Sequence, residues 1–146
     1  MGILLHDHLK PTTVCNSAII CEEGGATSLP GNTFFTHEAK LLLCICNMVY
    51  CLNLTTLHLL WRTKVDEATC FEIFPFDGGI ITHGELEIAK LDFDGNKKWS
   101  FSGSDIFVSP DGAGVFRIAN HQITVKDWEG FEYILDAKGR LVHENL

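Results

Sequence analysis

The sequence predicts an all-β protein built as an antiparallel meander. Short stretches such as Gln122–Lys126 and Phe131–Asp136 alternate apolar and polar residues, which is typical of strands with one buried face. Glycine-containing turn signals such as Asp77-Gly78 and Asp94-Gly95 separate the stretches at close intervals. The pattern also recurs with a period of about 40 residues. A length of 146 residues fits one domain, so we expect residues 1–146 to form a single all-β domain.

Three repeat-like units follow one another along the chain, at residues 34–65, 70–103 and 105–146. A strand-like run opens each unit, at Phe34–Thr36, Cys70–Phe74 and Asp105–Val108. In the first unit, His37–Leu52 is apolar almost throughout and contains β-favouring residues, so we interpret it as two buried strands that meet near Asn47. Each unit would then hold four strands joined by tight turns, as a propeller blade does.

The repeat is clearest when residues 81–92 are placed over residues 125–136. This alignment needs no gap, matches Glu85 with Glu129, and brings Gly95 onto Gly139. A looser copy runs from Leu42 to Trp61, and after one gap Trp61 falls on Trp99. The matched positions combine a tight turn with an outgoing strand that carries tryptophan.

The segments Val49–Trp61 and Ile88–Trp99 resemble the repeats of quinoprotein-like β-propellers. Thr55-Thr56 stands where that pattern has Asp-Gly in the first unit, and Leu141-Val142 replaces the tryptophan in the last. The resemblance implies about three blade-like units, whereas propellers close with ~4–8 blades. We therefore expect either a rolled or sandwich-like meander, or a ring completed by dimerisation.

Charge and hydropathy disfavour two classes of partner, nucleic acids and membranes. Lys and Arg number 11 against 19 Asp and Glu, which gives a formal net charge of −8. An acidic chain does not favour nucleic acid, because phosphate binding depends on clustered lysine and arginine. Polar residues interrupt the most apolar stretch, Leu41–Leu60, so no membrane span is expected. The same acidity would steer association with a basic protein.

The cysteines and the first residues suggest a reducing compartment. Residues 1–10 show neither a basic region nor an apolar run of the export-signal type, so we expect a cytoplasmic protein with reduced thiols. The six cysteines contain no C-x-x-C pair, and we predict no metal and no cofactor. Cys44 and Cys46 lie two apart in a strand-like run, and we expect both to be buried on a shared face beside Leu42.

Local motifs give little support for catalysis. His83 and Glu85 could share a strand face as an acid/base pair, but the Pro-Cys-x-x-Cys that accompanies H-x-E in zinc deaminases is absent. Residues 92–96 resemble a calcium loop, yet Lys90 would occupy its first ligand position, so a hairpin turn explains the segment better. We assign no catalytic residue.

A binding surface is the better-supported prediction. Phe76 and Trp128 adjoin turns and are expected to be exposed more often than the other aromatic residues. The candidate binding residues are Asp66, Glu67, Asp77, His83, Glu85, Asp105, Asp127 and Trp128. The leading hypothesis is a non-enzymatic protein-binding module, with an acidic inhibitor or immunity-type protein as its specific form. The alternative is an enzyme or small-ligand-binding protein with a site at the loop ends around His83 and Glu85.

Overall fold

The described residues form fourteen β-strands and no helix, which confirms the all-β prediction. A computed structural model describes residues 1–7, 9–10, 12–22 and 31–145 of the chain. The first sheet pairs β1 (Gly2–His6) with β2 (Val14–Ile19). The second contains β3 (Phe34–His37), β4 (Lys40–Ile45), β5 (Met48–Asn53) and β6 (Leu59–Lys64).

Two further four-stranded sheets complete the chain. The third sheet contains β7 (Cys70–Phe76), β8 (Gly79–Gly84), β9 (Ile88–Asp92) and β10 (Lys97–Phe101). The fourth contains β11 (Phe116–Ala119), β12 (Gln122–Lys126), β13 (Glu132–Leu135) and β14 (Leu141–Asn145). In each sheet, strands that follow one another in sequence are antiparallel neighbours, so each sheet is a simple meander.

The sheets pack face to face in chain order, with an apolar layer between each neighbouring pair. Leu41 and Leu43 of β4 face the first sheet, whereas Leu42 of the same strand faces the third sheet. Because both faces of this sheet are covered, β4 and β5 are apolar almost throughout, and they meet at residues 46–47 as expected. Ile81 and Ile88 then pack against the fourth sheet.

One expected strand is absent. Asp105–Val108 is part of a link between β10 and β11, and the fourth sheet begins only at Phe116. The prediction was wrong because Phe107 is a buried loop residue and not part of a strand: its ring is fully buried between the third and fourth sheets. A loop with one buried aromatic residue therefore has the same local sequence pattern as a short strand.

Cys44 and Cys46 are both buried, but they do not share a face. Cys44 packs with Leu42 toward the third sheet, whereas Cys46 belongs to the apolar layer beside the first sheet. The reason is local, since Cys46 begins the turn after β4 with a φ of 53° and leaves the regular pleat there.

Candidate functional site

Successive connections between the strands of the meander lie at opposite ends of the sheets. One end, here called the loop end, collects the turns at 46–47, 85–87 and 127–131 and the links at 65–69 and 102–115. The other, here called the hairpin end, collects the turns at 38–39, 54–58, 77–78, 93–96, 120–121 and 136–140. Every predicted binding residue lies at the loop end except Asp77, which forms the turn between β7 and β8 at the hairpin end.

Asp66 holds two parts of the loop end together. Its carboxylate is 2% exposed and accepts hydrogen bonds from the backbone N–H groups of Ala68, Leu86 and Glu87, at 2.6, 2.9 and 2.8 Å. The bonds join the link after β6 to the turn after β8. Asp66 therefore faces inward and supports the loop end instead of contributing exposed charge.

Asp127 has the same kind of role in the fourth sheet. It is also 2% exposed, and its two carboxylate oxygens accept hydrogen bonds from the Phe131 N–H at 3.0 Å and the Tyr133 hydroxyl at 2.8 Å. These bonds close the turn between β12 and β13. Of the two aromatic residues expected to be exposed more often than the others, Trp128 is 46% exposed, whereas Phe76 is buried against the fourth sheet.

Backbone hydrogen bonds connect the loops that carry the remaining candidates. The Phe107 N–H donates to the Glu85 carbonyl at 2.7 Å, and the Trp128 N–H donates to the Ile106 carbonyl at 2.8 Å. Glu67 is exposed, while Glu85 and Asp105 are half-buried. The loop end is thus a continuous surface in which the turns of two sheets are held by the link between them.

Acidic residues concentrate in the loop-end segments. These segments, all of which the structure describes, contain no lysine or arginine, and their acidic residues are Asp66, Glu67, Glu85, Glu87, Asp105, Asp111, Asp127 and Glu129. Strand lysines pair with two of them, Lys64 with Glu67 at 2.7 Å and Lys97 with Glu87 at 3.1 Å. The hairpin-end turns are more balanced, because their acidic residues are accompanied by Lys138 and Arg140. The negative charge of the chain is therefore polarised toward the loop end.

His83 lies near the loop end of β8 and is only 5% exposed. Its Nε2 lies 3.0 Å from the Phe107 carbonyl oxygen, which can only accept, so Nε2 carries the proton and donates. The imidazole stacks on the Phe116 ring at 5.1 Å between centroids, and the edge of Phe71 approaches it at 5.4 Å. The ring is thus fixed on two sides by aromatic residues and at Nε2 by a hydrogen bond.

The carboxylate that faces His83 belongs to Glu72, and not to Glu85 as the sequence motif suggested. Glu85 lies beyond the end of β8 in the turn, where regular alternation has ended, so it does not share the strand face of His83. Glu72 is directly opposite His83 in the pairing of β7 with β8, and its Oε1 lies 3.7 Å from His83 Nδ1. That separation is an ion-pair distance, longer than a hydrogen bond. The imidazole holds the pKa of Glu72 below its ordinary value, against the opposing effect of burial.

Sequence reasoning missed Glu72 although the signal was present. The two-residue turn at Asp77-Gly78 fixes the register of the hairpin, in which Phe76 pairs with Gly79. Counting outward from this pair, residue by residue, places Glu72 across from His83. Glu72 is far from His83 along the chain but faces it from the adjacent strand, so a local motif does not contain it.

A cavity of about 320 Å³ opens beside this pair. Its lining combines Glu72 and His83 with the link between β10 and β11, and the other contributing residues are Phe71, Phe107, Val108, Ser109, Gly112, Gly114, Val115 and Phe116. One wall is therefore aromatic and one edge is charged. Within the described part of the chain, no three His, Cys, Asp or Glu side chains converge in the manner of a metal ligand set.

Comparisons with known proteins establish the fold alone. No family model matches the sequence, and no curated protein matches it. Among solved structures, the chain is similar to BamB from Moraxella catarrhalis, with a TM-score of 0.56 and 14% identity over 73% of this chain and 34% of that one. It is also similar to the Pan2 WD40 domain from Neurospora crassa, with a TM-score of 0.61 and 15% identity over 84% of this chain and 38% of the other.

A third similar structure is the quinohemoprotein alcohol dehydrogenase ADHIIG from Pseudomonas putida HK5. Its TM-score is 0.61 and its identity 14%, over 77% of this chain and 20% of that one. The chain thus spans well under half the length of each of these three structures. No helix among the described residues is long and apolar enough to cross a membrane. The fold is β-propeller-like, in agreement with the resemblance of the repeats.

Proposed function

We propose that the protein is a non-enzymatic binding module that presents its loop end to a basic protein partner. The observation that carries the proposal is the concentration of acidic residues in loop-end segments that contain no lysine or arginine. The cavity at the same end, lined by the buried and incompletely paired His83, adds an independent reason to expect recognition there. An inhibitor-type module that covers a basic protein is the specific form we propose.

Electrostatics supports this choice of end and of partner. Opposite charges on two surfaces accelerate their encounter and fix their relative orientation. The backbone bonds between residues 85, 106, 107 and 128 hold the loops before any partner arrives, so little conformational entropy is lost on binding. Exposed Trp128 adds an aromatic side chain of the kind enriched at protein interfaces.

The test compares two variants with the same change in net charge. The first neutralises the loop end through Glu85→Gln, Asp105→Asn and Glu129→Gln. The second, the matched control, neutralises the hairpin end through Glu38→Gln, Asp77→Asn and Asp94→Asn. The probe is a fluorescein-labelled peptide in which arginine alternates with glycine, and binding is followed by fluorescence anisotropy.

We expect the loop-end variant to bind the peptide on the order of 10-fold more weakly than the wild-type chain. The hairpin-end variant should stay within about 2-fold of wild type, because its charges lie at the other end of the sheets. Equal weakening in the two variants would show that net charge alone governs binding, and the proposal would then fail.

A second candidate function is binding of a small ligand in the cavity without any protein partner. It is favoured by one observation, the buried Nδ1 of His83, for which the described part of the chain provides no hydrogen-bond partner. In that case a small molecule would bind in the cavity, and the loop-end and hairpin-end variants would have the same affinity for the basic peptide. Titrations of both kinds of probe therefore separate the two functions.

A further inference from the structure

We infer that the cavity beside His83 is a pocket for a guanidinium group, the head of an arginine side chain from the basic partner. This inference rests on the proposed function of the loop end and names the group that the surface recognises. It depends on the hydrogen-bonding capacity of Glu72 and His83, on the free volume beside them, and on the aromatic wall.

Hydrogen-bond accounting shows that a neutral His83 leaves the site short of donors. Because Nε2 of His83 donates to the Phe107 carbonyl, a neutral ring leaves Nδ1 as an acceptor. Nδ1 faces Glu72 Oε1, also an acceptor, at 3.7 Å, and it is buried without a hydrogen-bond partner among the described residues. Two acceptors that face each other are satisfied only by a proton on the ring or by a group that offers several N–H donors.

Glu72 has acceptor capacity to spare. Its Oε2 accepts from the Asn32 side-chain amide at 3.4 Å, which is near the limit for a hydrogen bond, and its side chain is 33% exposed. The carboxylate can therefore turn toward the cavity and still remain near His83. A guanidinium presents five N–H donors in a planar fork, which suits bidentate pairing with a carboxylate and leaves a further N–H for Nδ1.

The walls and volume of the cavity suit the same group. Phe71 and Phe116 line it, and guanidinium planes stack favourably on aromatic rings. A volume of about 320 Å³ is at the small end of ligand pockets, which suits one side chain better than a large cofactor. An anionic ligand would meet Glu72 and the acidic loop-end segments, and would therefore be repelled.

The experiment measures binding of N-acetyl-arginine amide to the full chain by isothermal titration calorimetry. N-acetyl-citrulline amide serves as a neutral probe of similar shape. Glu72→Gln removes the charge in the cavity, and Glu38→Gln is the matched control because Glu38 is an exposed acid at the hairpin end and does not line the cavity. Circular dichroism establishes that both variants keep the β-sheet fold.

We expect the arginine probe to bind wild type and the Glu38→Gln variant within about 2-fold of each other. Glu72→Gln should weaken its binding by on the order of 10-fold, and the citrulline probe should bind wild type at least that much more weakly. No binding of the arginine probe to wild type, or equal binding to Glu72→Gln, would overturn the inference.

Failure of the guanidinium pocket and failure of the proposed function would give different outcomes. If the arginine probe fails while the loop-end variant loses the basic peptide selectively, the surface is functional and the guanidinium pocket is wrong. If the arginine probe binds in the cavity while both triple variants behave alike, the pocket is right and the wider acidic surface is wrong.

Discussion

The indole of Trp61 lies against Gly95, so that a side chain added at Gly95 would meet the ring at 2.6 Å. The same indole donates its Nε1–H to the Phe93 carbonyl at 3.0 Å. One repeat later, Trp99 lies against Gly139 and donates to the Ala137 carbonyl at 3.1 Å. Each tryptophan thus fastens its sheet to a hairpin turn of the next, which gives the spacing of tryptophan and glycine in the repeat a physical basis.

Replacing Gly139 should destabilise the fold through this contact. A Cβ at Gly139 would approach the Trp99 ring at 2.4 Å, whereas a Cβ at Gly112 would meet nothing within 4 Å, and both glycines have positive φ. We expect Gly139→Ala to lower the free energy of unfolding by about 2–4 kcal/mol, and Gly112→Ala by about 1 kcal/mol from backbone strain alone. Urea unfolding of both variants measures the difference, and equal losses would refute the packing explanation.

Replacing Asp66 should destabilise the fold more than the replacement of an exposed acidic residue would. Asp66→Asn replaces one acceptor oxygen by an N–H₂ group that faces backbone donors, so partly buried N–H groups of the loop end lose their partner. We expect a loss of roughly 2–3 kcal/mol in the free energy of unfolding. Asp77→Asn, at an exposed turn, is the control and should change stability by less than about 0.5 kcal/mol. A small effect at Asp66 would mean that the loop end is not held by this carboxylate.

The turn between β9 and β10 predicts acid sensitivity. Hydrogen bonds from the Asn96 side chain, and from the backbone of Asn96 and Asp94, hold the pKa of Asp92 well below its ordinary value. A carboxyl whose pKa is lower in the folded state stabilises the fold at neutral pH, and this stabilisation is lost as the pH falls below about 4. Asp92→Asn should therefore make the free energy of unfolding fall less steeply as the pH decreases, whereas Asp94→Asn should leave that slope unchanged. Urea unfolding at several pH values measures both slopes.

The cysteines should divide into two groups by reactivity. Cys15 and Cys21 are exposed, whereas Cys44, Cys46, Cys51 and Cys70 are buried. Burial raises the pKa of the Cys51 thiol, and contact with Cys44 together with burial raises that of Cys70, so few thiolates form there. We expect a thiol reagent to label Cys15 and Cys21 quickly in the native protein, with the others reacting after unfolding. Fast labelling of Cys70, identified by mass spectrometry, would contradict this arrangement.

Much of the fold follows from local pattern. Alternation located β12 and β13, and the turn at Asp77-Gly78 located the β7–β8 hairpin, because these features depend on a few neighbouring residues. Asp105–Val108 was wrongly predicted as a strand because the burial of Phe107 depends on packing between two sheets, which local periodicity does not report.

The candidate site was harder to predict than the fold. His83 was identified, but its partner Glu72 lies on the neighbouring strand and became visible only through the hairpin register. Asp66 and Asp127 were named as candidate binding residues, and they are buried acceptors for loop hydrogen bonds. The sequence shows the type of a side chain and its neighbours along the chain, whereas the direction it faces depends on tertiary packing.

The most direct test of the account is a map of the surface that contacts a basic ligand. We would titrate the arginine–glycine peptide into the isotopically labelled chain and follow backbone amide shifts by two-dimensional NMR. The account predicts that shifts concentrate at residues 65–69, 85–87, 102–115 and 127–131 and at the Glu72–His83 pair. Shifts centred on the hairpin-end turns, or spread evenly over both ends, would contradict the assignment of the loop end as the binding surface.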